Sequence, residues 1–234
     1  MKYQDLTIGH QTIHLGCPDA IGNYPVYYLF AHDRHDPVRL RTLLDDEAII
    51  LAVIPVQDWN DNMTPWPGEA LFSHQADFGG AADTYMEELE SMVQSIEQVI
   101  QSQGQNIGSR HVIGFSLSAI FGLYLAQRNP AFRTVIAVSP STWFEGIISY
   151  FKAYPMPKSL WGVYLSLGIE ESDHRNERIA SVDARTFALR DLLLEQGIEV
   201  FVACDQGNHF SLMHRRIQEG IGWSEGLREL MTKA

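Results

Sequence analysis

Between Arg110 and Gln127 the chain passes from a strand-like run into a helix-like run, with only Gly114-Phe115-Ser116-Leu117-Ser118 between them. Arg110-His111-Val112-Ile113 reads as a short buried strand. Ala119 to Gln127 reads as a helix that is apolar nearly all round, and such a helix must be covered on every side. Joined this tightly, the two fit a strand inside a sheet followed by a helix packed on that sheet. A serine on the sharp turn has its hydroxyl lifted above the sheet, and the backbone N–H groups after it aim at one point in space. The residue two before the serine must be small because the chain reverses there, and Gly114 meets that need. The residue two after is usually glycine, and here it is Ser118. On the pentapeptide alone, a serine that merely caps a buried helix is the competing reading.

The rest of the chain places this turn in an α/β architecture. Gln11–Cys17 and Tyr24–Phe30 read as strands, and the turn residues Pro18-Asp19 and Gly22-Asn23 between them suggest an antiparallel pair. A short helix should follow, capped by Asp36, opened by Pro37 and facing inward with Leu40, Leu43 and Leu44. Glu47–Val56 is continuously apolar, as in a parallel strand covered on both faces. Gln57–Gly80 has no period, but its tryptophans argue against disorder, and a loop of this length is usually functional. A helix should start near Asp83 or Thr84, with Thr84 and Glu87 as a capping box. Its apolar stripe is Tyr85, Leu89, Met92, Val93, Ile96 and Ile100. Beyond the serine turn come a strand at Thr134–Val138, a helical patch at Glu145–Lys152 and a strand at Gly162–Leu167. A helix at Val182–Gln196 ends at Gly197, a strand covers Glu199–Cys204, and a last helix carries Ile217, Ile221, Trp223, Leu227 and Leu230. This order predicts one α/β domain over residues 1–234. Its sheet should be mostly parallel, with an antiparallel N-terminal pair and helices on both faces.

Composition narrows the functions open to such a domain. The chain has 234 residues, 45% hydrophobic and 20% charged, with a net charge of −12. That charge, without a local basic patch, disfavours nucleic acid and anionic membranes as partners. Two cysteines, Cys17 and Cys204, are too few for a disulfide framework or a structural zinc site. No apolar signal segment follows Met1, and the longest apolar runs are too short to span a bilayer, so a cytoplasmic protein is expected. Oligomeric state is left open.

Ligands of such sheets bind beyond the carboxyl ends of the strands. Ser116 follows one strand there, Glu170-Glu171-Ser172-Asp173 another, and Asp205-Gln206-Gly207-Asn208-His209 the last. The chain order serine, carboxylate, histidine is that of the α/β-hydrolase triad. A serine hydroxyl needs an imidazole to take its proton, and the imidazole needs a carboxylate to hold its tautomer. Ser116, His209 and Glu171 are the candidates, with Glu170 and Asp173 as alternative acids. His214 should sit on the following helix. An oxyanion hole needs two fixed donors: Leu117 should give one, and Gln57 or Asp58, after the Glu47–Val56 strand, the other. Trp59, Asn60, Asp61 and Trp66 should then line the substrate site, or else plug the loop onto the core, which would shift specificity to Trp143 and Phe144. His32-Asp33-Arg34-His35-Asp36 holds ligand types, but no second cluster has ligand spacing, so no metal is expected.

With these residues in view, the chain resembles the putative-esterase branch of the α/β-hydrolases, which includes esterase D and the enterobactin-type siderophore esterases. The resemblance starts near Ala48. It rests on Met63-Thr64-Pro65-Trp66-Pro67, Phe78-Gly79-Gly80-Ala81-Ala82-Asp83, the serine turn and Ala137 to Phe144. It continues through Leu165 to Glu171 and Gly207-Asn208-His209-Phe210. It implies a carboxylesterase without cofactor acting on a small-molecule ester, with Ser116 as nucleophile, His209 as base and Glu171 as acid. The departures are Ser118 for glycine, and Glu where many relatives have Asp. Acyl transfer on the same site, and a binding protein that kept the fold without the chemistry, are the competing functions.

Overall fold

Strands that are apolar on both faces require cover on both. The computed structural model describes residues 1–32 and 48–233 and provides that cover. Its strands are β1 (Lys2–Ile8), β2 (Gln11–Cys17), β3 (Asn23–His32), β4 (Ile50–Val56), β5 (Asn106–Phe115), β6 (Phe132–Val138), β7 (Gly162–Gly168) and β8 (Glu199–Asp205). They form one sheet in the order β1-β2-β4-β3-β5-β6-β7-β8. β1 is antiparallel to β2 and β2 to β4, and from β4 to β8 every pair is parallel. The helices are α1 (Trp59–Asn62), α2 (Ala82–Ser102), α3 (Leu117–Arg128), α4 (Ile147–Ala153), α5 (Glu177–Ala180), α6 (Val182–Glu195) and α7 (Met213–Lys233).

The two-residue period of the strands divides the core. β3 sends Val26, Tyr28 and Phe30 to one face, which α2, α3, α4 and α6 cover. It sends Tyr27, Leu29 and Ala31 to the other, where Ile217 and Ile221 of α7 pack. Among the described residues no helix is long and apolar enough to cross a membrane, and no three potential metal ligands gather. Cys17 and Cys204 are both free.

Two expectations are corrected. The antiparallel N-terminal pair exists, but β2 pairs with β1 and β4, and β3 lies beyond β4. β3 is buried from Pro25 to Ala31 and needs an interior position, whereas β2 is only half-buried at His14 and tolerates a place near the edge. The capping box is absent: α2 starts at Ala82, and its N-cap Ala81 makes no side-chain cap. The amides there are satisfied elsewhere, Ala81 donating to the Asp61 carbonyl (2.8 Å) and Ala82 to that of Thr64 (3.2 Å). The helix expected around Asp36–Leu44, the strand start at Glu47 and Asp33–Asp36 of the polar cluster lie outside the described residues.

α7 is fastened to the sheet by a buried polar group that carries a pH dependence. His111 stacks on Tyr27 with ring centroids 4.6 Å apart. Its ring nitrogens meet the Ser109 and Thr134 hydroxyls at 2.7 and 2.6 Å. Ser224 of α7 meets both Tyr27 and Thr134. Burial, with Arg228 and Arg133 adding to it, lowers the His111 pKa from 6.5 to about 3. The unfolded chain therefore binds this proton at a higher pH than the fold does. The stability from neutral His111 is complete above 6.5 and is lost as pH falls from 6.5 toward 3. Between pH 6.5 and 5 the loss should be about 2 kcal/mol. Thermal melts of His111→Gln should fall less steeply over this range than those of the wild type, and equal slopes would remove His111 from the account.

Candidate active site

At the end of β5 the backbone turns so sharply that Ser116 is held at φ 62°, ψ −120°. This is a costly conformation for a residue with a side chain, and it persists only where the surroundings impose it. A Cβ at Gly114 would overlap the Ser118 carbonyl, which is why that position is glycine. Ser118 fits where glycine is usual because its hydroxyl is used inside the turn. It accepts from the Phe115 amide at 2.9 Å and reaches the Phe30 carbonyl at 3.0 Å, tying the turn to β3. Leu117 opens α3, and the first amides of a helix have no acceptor within it. Its N–H therefore stands beside Ser116 as a donor.

The structure brings Ser116, His209 and Glu171 together from the loops after β5, β8 and β7. Ser116 Oγ lies 3.0 Å from His209 Nε2, and His209 Nδ1 lies 2.9 Å from Glu171 Oε2. Gly168 allows the approach of the last two loops, since a Cβ there would overlap the Gly207 carbonyl. The Ile169 amide donates to Asp205 O (2.8 Å) and that of Glu170 to Gly207 O (3.1 Å). The His209 ring packs on Phe115 and Phe210, with centroids 4.8 and 4.9 Å away. Glu171 is the buried acid of its cluster, its side chain 2% exposed, whereas Glu170 and Asp173 face solvent. Its Oε1 accepts from the Ser139 hydroxyl (2.6 Å), the Gly168 amide (2.6 Å) and Arg216 (3.1 Å). Burial pushes its pKa up, but the bonds from His209, Gly168 and Ser139 outweigh burial and hold it below the ordinary value.

Three residues near this chain of hydrogen bonds escaped sequence reasoning. Ser141 is buried, its hydroxyl 3.2 Å from Ser116 Oγ and its amide 3.2 Å from the Ser116 carbonyl. Ser139, at φ 46°, supplies the hydroxyl on Glu171. Both follow β6, and the rule of looking beyond strand ends would have found them. Arg216 is fully buried, although arginine is among the residues least often buried. The signal was its place on the inner stripe of α7 with Ile217, Gly220, Ile221 and Ser224.

The long loop is folded and attached mainly through its own residues. Trp66 packs on Phe144 and Tyr150 and spends its indole N–H on the Glu145 carbonyl at 3.0 Å. It therefore plugs the loop onto α4. Asp61 accepts from the Gly79 amide (2.9 Å), and the Asn60 carbonyl accepts from the Thr64 hydroxyl (2.6 Å). These groups close the loop on itself. Trp59, half-buried, meets the His32 ring edge-on at 5.2 Å. Trp143 is buried on Phe78 and Phe144 with Arg178 over its ring, two residues from Ser141. Gln57 and Asp58 stand after β4, which is separated from β5 by β3. β3, the neighbour of β5 on that side, ends at His32, and residues 33–47 lie outside the described residues. His214 is on α7, where it was expected.

A family model described as "Putative esterase" matches residues 14–225. No curated protein matches the chain at a significant level. Solved structures do. The siderophore hydrolase EstA from Aspergillus nidulans is 17% identical with a TM-score of 0.72, covering 97% of this chain and 94% of its own. An IroE-like serine hydrolase from Shewanella oneidensis is 17% identical with a TM-score of 0.68, covering 98% and 80%. The enterobactin esterase FES from Shigella flexneri is 15% identical with a TM-score of 0.68, covering 94% and 58%.

Proposed function

The chain belongs to the "Putative esterase" family, has the α/β-hydrolase fold and is a carboxylic-ester hydrolase; on that premise we propose that it cleaves small carboxylic esters through an acyl-enzyme on Ser116. The observation that carries this reading is the unbroken hydrogen-bonded chain Ser116–His209–Glu171. An ionised carboxylate only accepts, so Glu171 makes His209 Nδ1 the protonated nitrogen. Nε2 then presents its lone pair to the Ser116 hydroxyl. As Oγ attacks the ester carbonyl, its proton passes to Nε2, and Glu171 stabilises the imidazolium. The Leu117 amide stabilises the oxyanion. His209 then gives its proton to the departing alkoxide, leaving the acyl group on Oγ. Water repeats the sequence in reverse roles and frees the acid. His209 must be neutral to begin, so kcat/KM falls toward acid pH.

At 15–17% identity the siderophore esterases speak for the fold, and the proposed substrate class stays at carboxylic esters. The test is turnover of p-nitrophenyl acetate together with labelling by a fluorophosphonate probe. Peptide mapping should place the label on Ser116. Turnover without that label, or a label elsewhere, overturns the assignment. Adding an alcohol and finding no new ester separates hydrolysis from acyl transfer.

A further inference from the structure

Beyond the three residues of the proposed relay, we propose that Arg216 is a positioning residue that fixes the Glu171 carboxylate and balances its charge, so that His209 rests neutral and ready to act. This rests on the reading of Ser116, His209 and Glu171 given above.

Arg216 is fully buried, and a guanidinium does not lose its proton in a protein. Such a buried cation persists only with matched partners. Its Nη2 meets Glu171 Oε1 at 3.1 Å, on the oxygen turned away from His209. Its Nη1 donates to Ser139 Oγ (2.9 Å), whose own hydroxyl donates to the same Glu171 oxygen (2.6 Å). Its Nε faces Asp205 Oδ2 at 3.4 Å. Arg216 and Ser139 thus grip one carboxylate oxygen and leave the other for His209.

The charge count gives the consequence. Glu171, Asp205 and Arg216 together carry −1 while His209 is neutral, and the cluster becomes neutral when His209 takes the serine proton. The transition state is therefore favoured without the resting imidazole being protonated beforehand. Without Arg216 the acids alone carry −2, and their pull on a proton at His209 is no longer offset. Among the described residues, Tyr164 of β7 and Cys204 of β8 are the other titratable groups that feel the charge of Arg216. Burial raises the Tyr164 pKa, and partial desolvation with the charges of Asp183 and Asp205 raises that of the exposed Cys204, so both stay protonated and uncharged through the working range. Arg215 is turned outward to Glu219 (2.8 Å), and Asp183 is bound by Ser172 (2.6 Å).

The experiment is the pH profile of kcat/KM on p-nitrophenyl acetate for four proteins checked for folding by circular dichroism. In Arg216→Met the acid limb should move up by about one pH unit. In Asp205→Asn, which removes a negative charge and leaves Arg216 in place, it should move down. Arg216→Lys keeps the charge without the fork, so its limb should stay while kcat drops by about tenfold. A folded Arg216→Met with an unmoved limb reduces Arg216 to a pin for α7 and overturns the proposal. If that variant does not fold, Asp205→Asn decides: a limb that stays or moves up overturns it equally. A wild-type profile flat through the acid range would instead count against His209 as base.

Discussion

Ser116→Ala should lower kcat/KM for a small ester by about 10⁴-fold or more, with a near-native fold. The strained turn is held by Gly114, by Ser118 on Phe30 and by the Ser141 amide on the Ser116 carbonyl. None of these uses the Ser116 hydroxyl, so the turn should survive its removal. What is lost is the one oxygen that faces His209 Nε2 at 3.0 Å. Ser141 Oγ is the nearby hydroxyl that could be suspected of taking over. Its hydrogen bond in the structure is to Ser116 itself, with none to His209. Retention of a tenth of the activity, in protein purified free of wild type, would sink the assignment. Retention that disappears in Ser116→Ala/Ser141→Ala would move the nucleophile to Ser141.

The central strands were legible because burial on both faces leaves a continuous apolar run, as in Ile50–Val56 and Val135–Val138. The serine turn was legible because sterics confine position 114 to glycine. β1 was not: Lys2–Ile8 lies at the edge, stays largely polar and shows no clean alternation. The insertion of β4 between β2 and β3 was hidden for another reason. Strand order depends on which strands need cover on both sides, and turn residues report only that the chain bends. Gln57 and Asp58, the candidates for the second oxyanion donor, follow β4, and the turn residues gave no sign that β3 lies between β4 and β5. Aromatic residues left two uses open in the sequence. Trp66 carries a polar handle suited to a ligand, but the handle meets Glu145 O, and no local pattern separates the two uses. Arg216 is the sharpest case, since a buried cation is recognisable only once the carboxylates around it are in place.

Glu171→Gln should cost about 10³- to 10⁴-fold in kcat/KM, while Glu170→Gln and Asp173→Asn stay within about twofold. The reason lies in which oxygen faces which donor. Oε1 accepts from Ser139, Gly168 and Arg216, three donors that only an oxygen can satisfy. A glutamine would therefore point its carbonyl oxygen at them and its NH₂ at His209. Facing an N–H, Nδ1 must become the acceptor, and the ring proton moves to Nε2. Nε2–H then meets the Ser116 hydroxyl and can no longer take its proton. The loss thus comes from a reversed tautomer as well as from the missing charge, and it should appear in kcat with KM little changed. Stability separates the cause from misfolding. Glu171 has a lowered pKa in the fold, so its contribution is present above the ordinary carboxylate value and is lost as pH falls through the depressed one. At neutral pH the variant should consequently melt lower but still cooperatively. Melts and kinetics of all three variants, taken together, check the assignment. If Asp173→Asn proved the most damaging, the acid would belong to a residue that the structure leaves exposed, and the arrangement of the loop after β7 would have to be redrawn.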